Sequence, residues 1–197
     1  GGCIGPFSLA GRLYDMTELM MAMYIEPDTA NLLLDKCTQF ILEYCKQIKA
    51  SGSAGVVMAE PAAGLLSNDD CQAYSSRFVK TIVDAVQDDN FVVMLHNCGN
   101  TGQCTKAMIE TGAAALHFGN AIDMAQVLNE VPADIAVSGN INPVEIMKFG
   151  TPQQVEDVAK QLIKLADKHN NFILSTGCDV PPETPFENIE SLFNATI

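Results

Sequence analysis

The sequence predicts an α/β fold of the (β/α)8 TIM-barrel type, incomplete here, with about six C-terminal βα units of the barrel. Apolar runs of strand length alternate with amphipathic helical stretches along the whole 197-residue chain, the pattern of a parallel sheet buried on both faces. Eight polar residues (Glu60, His96, Cys98, His117, Asn120, Asn140, Cys178 and Asp179) fall at or just after the C-terminal ends of five of those runs. In a barrel such ends converge on one mouth, whereas an open doubly wound sheet strings them along a line beside one crevice.

The elements follow in order. Cys3 to Ala10 is an apolar stretch broken by Gly5-Pro6, which reads as a strand ending in a turn. A Met-rich helix covers Met16 to Tyr24, where Met16, Met20, Met21 and Met23 read as packing residues. Glu26-Pro27-Asp28 marks a break before a helix from Thr29 to Ala50, in which Leu33, Cys37, Phe40, Ile41, Tyr44 and Ile48 recur at helical spacing and are expected to form the buried face. Ala54 to Ala59 is a strand leading to Glu60-Pro61, and Ser67-Asn68-Asp69-Asp70 is an N-cap cluster opening a helix to Gln87.

Phe91 to Leu95 is the next strand, followed by a helix from Thr101 to Thr111, a strand from Ala114 to Phe118, a helix from Asp123 to Glu130 and a strand from Ile135 to Ser138. Asn142-Pro143 opens a short helix and Thr151-Pro152 a long one to Lys168; a strand then begins at Phe172, and a last helix runs from Pro185 to Phe193. No internal repeat or linker divides the chain, so residues 1–197 are expected to form a single domain.

Composition narrows the function. A formal charge of −13 with only eleven Lys and Arg, scattered rather than clustered, excludes a nucleic-acid binder of the usual basic kind. No apolar run approaches the roughly 20 residues that span a bilayer. Seven cysteines without a regular framework fit a reducing cytoplasm, where thiols stay free or bind metal. The chain opens Gly-Gly-Cys-Ile-Gly-Pro without an initiator Met, which suggests a piece of something larger.

The chemistry concentrates after two strands. His96 and Cys98 stand two apart at the end of Val92-Val93-Met94-Leu95, so an imidazole and a thiolate can face one point. Cys178 follows Phe172-Ile173-Leu174-Ser175-Thr176-Gly177 in the same relation to its own strand. One nitrogen and two sulfurs suit zinc with an open fourth position. The spacing matches no local zinc motif, however, and the same cysteines also read as buried apolar side chains. Cys37, Cys45 and Cys71 read as core or surface filler at helical spacing, and Cys104 as filler too. His117 reads either as pocket lining or as a structural histidine.

Five segments together carry a resemblance: Gly5-Pro6-Phe7-Ser8-Leu9-Ala10, His96-Asn97-Cys98-Gly99-Asn100, His117-Phe118-Gly119-Asn120, Ser138-Gly139-Asn140-Ile141-Asn142-Pro143 and Gly177-Cys178-Asp179-Val180-Pro181-Pro182-Glu183-Thr184-Pro185. The chain resembles the uroporphyrinogen decarboxylase superfamily, and within it the cobalamin-dependent, zinc-containing methyltransferase branch. The similarity spans essentially the whole chain and corresponds to the family's C-terminal part, members beginning with about two further βα units. The resemblance implies Zn2+ on His96, Cys98 and Cys178, and transfer of a methyl group from methylcobalamin, or from a corrinoid carried by a partner protein, to a small thiol acceptor. Glu60 and His117 are then the candidate catalytic residues, Glu60 as a displaceable fourth ligand or a substrate contact. Asn120, Asn140 and Asp179 are the candidate cofactor contacts. A decarboxylase, which would need cations around the mouth where only Arg12 is near, and a non-catalytic fragment with structural zinc are the alternatives. A barrel lacking strands has open edges, so the chain is also expected to form homo-oligomers.

Overall fold

The computed structural model describes residues 1–196. In chain order its elements are β1 (Gly2–Ile4), α1 (Pro6–Tyr14), α2 (Met16–Ile25), α3 (Pro27–Ala50), β2 (Gly55–Ala59), α4 (Asn68–Cys71), α5 (Arg77–Val86), β3 (Val92–Asn97), α6 (Thr105–Ile109), β4 (Ala115–Phe118), α7 (Met124–Glu130), β5 (Ala136–Ile141), α8 (Pro152–Leu165), β6 (Phe172–Thr176) and α9 (Phe186–Asn194). The six strands form one parallel sheet in sequential order, β1 to β6, which is the wall of a partial TIM barrel with β1 and β6 at its edges. No helix among the described residues is long and apolar enough to cross a membrane.

Alternation along the strands decides which residues reach the core and which reach the site. Val56, Met58, Val93, Leu95, Leu116 and Val137 point outward and pack in one cluster with Ile41 and Cys45 of α3 and Val79, Ile82 and Val83 of α5. The residues between them point to the concave side. The register there runs Ala59, His96, His117, Ser138, Ile173 from β2 to β6, so two imidazoles sit side by side in a row of otherwise small or aliphatic neighbours. Local chemistry places the helices: Asp123 caps α7 and Thr151 closes a capping box with Gln154 at the start of α8, where Pro152 occupies the first turn.

Two boundaries and one buried face differ from the sequence reading. The first strand stops at Ile4, and Phe7 to Ala10 are helical, because Pro6 occupies the first turn of α1 rather than closing a strand. The helix expected from Thr101 is confined to Thr105–Ile109; the Asn100 side chain holds the preceding loop by accepting from the N–H groups of Gly102 and Cys104. On α3 the buried stripe is Ala30, Leu34, Cys37, Thr38, Ile41 and Cys45, while Phe40 and Tyr44 are 67% and 48% exposed. The helix is rotated by about one position relative to expectation, because a stripe of small residues lets it lie close against α1 and α5. Cys37, Cys45, Cys71 and Cys104 are buried in the apolar clusters, as expected of filler.

Both sheet edges carry unpaired backbone, and Val57 and Ile173 are exposed on the concave face together with Phe40 on the outside. In isolation the 197-residue chain is therefore expected to self-associate or to be marginally stable. Light scattering that shows a stable monomer contradicts this.

Candidate metal centre

The end of β3, the turn after it and the turn after β6 bring three side chains together. The ligand atoms of His96, Cys98 and Cys178 all lie within 4.8 Å of one another, and Nε2 of His96 is 3.7 Å from Sγ of Cys178. His96 is buried and the two cysteines are half-buried. They line an open cleft of about 910 Å³ on the concave side of the sheet, shared with Arg12, His117, Ser138 and Asp179.

Strands three places apart in the sheet can deliver ligands to one point only if their ends approach closely, and two glycines permit this. A Cβ on Gly119 would lie 2.6 Å from Cα of Cys98, and a Cβ on Gly177 would lie 2.5 Å from the backbone nitrogen of Asn120. The turn after β4 is thus packed against backbone on both sides, with Cys98 on one flank and the residue preceding Cys178 on the other. Gly177 is fixed further by its N–H, which donates to the Ile141 carbonyl at 2.7 Å.

The electrostatics suit a cation. Burial, with the neighbouring His117 second, lowers the His96 pKa to about 4, against a weaker opposing pull from Asp179. His117 is lowered by burial as well. At neutral pH both imidazoles are uncharged, the state a metal ligand requires. Nδ1 of His96 is buried without a hydrogen-bond partner among the described residues, so this ring is not held by an ordinary structural network. Burial and the adjacent Cys178 raise the Cys98 pKa, a cost that a divalent ion between the sulfurs would reverse. The donor set of one nitrogen and two sulfurs fits zinc, and with three donors in the cluster the fourth tetrahedral position is left for solvent or substrate.

The other sequence candidates are placed as follows. Glu60 is not part of the cluster. Its side chain is buried beneath the N-terminus of α1, where it accepts from the N–H groups of Phe7 at 3.0 Å and Ser8 at 2.7 Å and from Ser75 Oγ at 3.2 Å. A carboxylate that satisfies the free amides of a helix start is committed to that role, so the expectation of a displaceable fourth ligand or substrate contact is corrected. Asn140 is likewise committed: its side-chain nitrogen donates to the carbonyls of Gly119 and Ile122, which tie the turn after β4 to β5. Asn120 and Asp179 are exposed near the mouth, and only Asp179 lines the cleft. His117 stacks on His96 with ring centroids 4.6 Å apart, and its Nε2 lies 2.7 Å from the Thr176 carbonyl. Arg12, which the sequence placed near the mouth as its one cation, lies on α1 and lines the cleft; the helix that carries it begins inside a stretch read as strand and turn.

Comparisons with known proteins agree with this architecture. The uroporphyrinogen decarboxylase (URO-D) family model matches residues 1–196. Methylcobamide:CoM methyltransferase MtbA of Methanosarcina mazei is 29% identical over 194 residues, which cover 98% of this chain and 56% of that protein. Uroporphyrinogen decarboxylase of Synechococcus sp. (strain CC9605) is 31% identical over 205 residues, covering 98% and 56% respectively. The chain thus spans a little more than half the length of these curated relatives. Among solved structures, a methyltransferase from Methanosarcina mazei shares the fold with a TM-score of 0.89 over 99% of this chain and 57% of that one, at 23% identity.

Gly177→Ala tests the close approach. The added methyl group meets backbone rather than a side chain that can swing away, so a loss of about 1–3 kcal/mol is expected, together with weaker metal retention. Urea denaturation and metal analysis check this, and unchanged values for both contradict it.

Proposed function

The chain belongs to the uroporphyrinogen decarboxylase (URO-D) family, and from that premise we propose that it carries the zinc site of a methyltransferase that moves a methyl group from a methylated corrinoid to a thiol. The observation that carries the reading is the convergence of His96, Cys98 and Cys178 in an open cleft. The printed activity of the MtbA relatives, methylcobamide:CoM methyl transfer, supports the class of reaction. In that reaction the C–Co bond breaks with both electrons left on cobalt, an S–C bond forms, and the thiol proton is released.

Zinc, when bound, would hold a substrate thiol as thiolate near neutral pH. The protein's own groups supply the rest. His96, kept neutral by burial, offers a lone pair at the pH where the thiol must ionise. Cys98 and Cys178 supply soft donors that favour zinc over hard cations. Arg12 is the one Lys or Arg that lines the cleft, and among the described residues it makes no ion pair. Its guanidinium would receive an acidic substituent of the acceptor, which makes a short anionic thiol the favoured substrate class. Asn120 and Asp179, exposed at the mouth, are the side chains we assign to contact with the corrinoid, which a partner protein would carry. With seven free cysteines, the protein is assigned to a reducing cytoplasm.

The alternative activity within the family is decarboxylation of a polycarboxylate, and the curated decarboxylases are similar to this chain at a comparable level. A cleft with one cation and two cysteines is poorly suited to a ring of acidic substituents. A structural zinc would call for a fourth protein ligand, whereas the cluster holds three.

Metal analysis and a methylcobalamin demethylation assay with a panel of thiols test the proposal. Cys98→Ser is expected to weaken zinc binding by more than about 100-fold and to abolish transfer while the fold survives. His96→Ala should do the same, with partial rescue by imidazole. Cys71→Ser, in the core away from the cleft, should keep wild-type zinc content and activity. Arg12→Gln should raise KM about tenfold for anionic thiols only, corresponding to about 1.4 kcal/mol. Full zinc and activity in Cys98→Ser would overturn the assignment.

A further inference from the structure

We infer that His117 is a positioning residue, which holds Cys178 at the metal centre by tying the end of β6 back to β4, rather than a proton-transfer group. The inference rests on the zinc reading above and goes beyond it by explaining why one ligand of the set stays in place.

β6 is an edge strand of the sheet. It pairs only with β5, and none of its five residues is fully buried. Beyond that pairing, the Gly177 N–H bond to the Ile141 carbonyl holds the turn toward β5, and a tie reaching β4 further limits splaying of Cys178 away from β3. β4 and β6 are not hydrogen-bonded neighbours, because β5 lies between them. In the inward-facing row, Ser138 of β5 separates His117 from Ile173, and its small side chain leaves His117 room to reach across. The His117 ring spans that gap and brings Nε2 within 2.7 Å of the Thr176 carbonyl, the last of β6.

A carbonyl only accepts, so Nε2 carries the proton and donates it. The Ser175 hydroxyl donates to the same carbonyl at 3.1 Å, which strengthens the anchor. Thr176 then passes the constraint on: its Oγ1 donates to the Cys178 carbonyl at 2.8 Å. On its face the same ring stacks against His96, with centroids 4.6 Å apart. One imidazole therefore touches both halves of the ligand set, the ring of His96 and the turn of Cys178. A group whose Nε2 proton is committed to a backbone carbonyl is poorly placed to shuttle protons, and well placed to fix geometry.

Cobalt(II) substitution reads this directly, since thiolate-to-cobalt charge-transfer absorbance reports how many sulfurs bind. The wild-type protein is expected to show two-thiolate intensity. His117→Leu, which cannot donate, should lose about half of it and bind zinc about 10- to 100-fold more weakly. His117→Gln, whose amide nitrogen can donate to Thr176, should keep most of the intensity and the wild-type pH dependence of metal binding. Thr176→Val removes the hydroxyl link to Cys178, should reduce the charge-transfer intensity as well, and carries the test if His117→Leu fails to fold. The inference is overturned if His117→Leu, or in its place Thr176→Val, matches the wild-type spectrum and affinity. It is equally overturned if His117→Gln is as impaired as His117→Leu, because the imidazole itself would then be required. A wild-type protein that takes up no cobalt or zinc would instead overturn the metal reading on which the inference rests.

Discussion

The close approach of three backbone turns is the constraint on which the site depends. Gly119 lies against the backbone of Cys98 on one side, and Gly177 lies against Gly119 and Asn120 on the other. Parallel pairing alone would leave the ends of β3 and β6 separated by two intervening strands. Curvature closes that gap, and a Cβ at either glycine would hold the turns apart. With the backbones in contact, the sulfurs of Cys98 and Cys178 and the imidazole of His96 lie within 4.8 Å of one another.

The sheet divides its labour by face. Large aliphatic residues point outward into the helices, while in the inward row the small Ala59 and Ser138 flank the two histidines. Small neighbours leave a cleft above the imidazoles, and the apolar wall beneath them lowers their pKa values. Stability and chemistry are thus obtained from the same burial, which desolvates the rings enough to keep them neutral without closing the mouth. Glu60 belongs to the stability side. Its carboxylate secures the start of α1, the helix that carries Arg12 to the cleft.

Much of the architecture was legible in the sequence, because βα alternation writes long apolar runs and capping residues directly into the chain. Val92 to Leu95 was readable as a strand, although Val92 is 47% exposed on the concave side, and the His-x-Cys pair at its end marked candidate ligands. Two of the misreadings, of Glu60 and of the buried face of α3, depend on partners distant in sequence. Nothing near Glu60 says that Phe7 and Ser8 will present free amides to it. Nothing along α3 distinguishes Phe40 and Tyr44 from the smaller stripe of Leu34, Ile41 and Cys45 until α1 and α5 are packed against it. The helical start at Pro6 was the exception, since proline in a helix's first turn is a local signal. The acceptor of His117, a backbone carbonyl two strands away, has no sequence signature at all.

On the reading proposed above, one imidazole and two thiolates of this chain bind zinc with one position open. X-ray absorption at the zinc edge of the purified protein tests it most directly. The account predicts stoichiometric zinc with two sulfur scatterers at about 2.3 Å and two nitrogen or oxygen scatterers at about 2.0–2.1 Å, one of the latter replaced by a third sulfur when a thiol acceptor is added. A shell without sulfur, a shell that does not change on addition of thiol, or no bound zinc would contradict it.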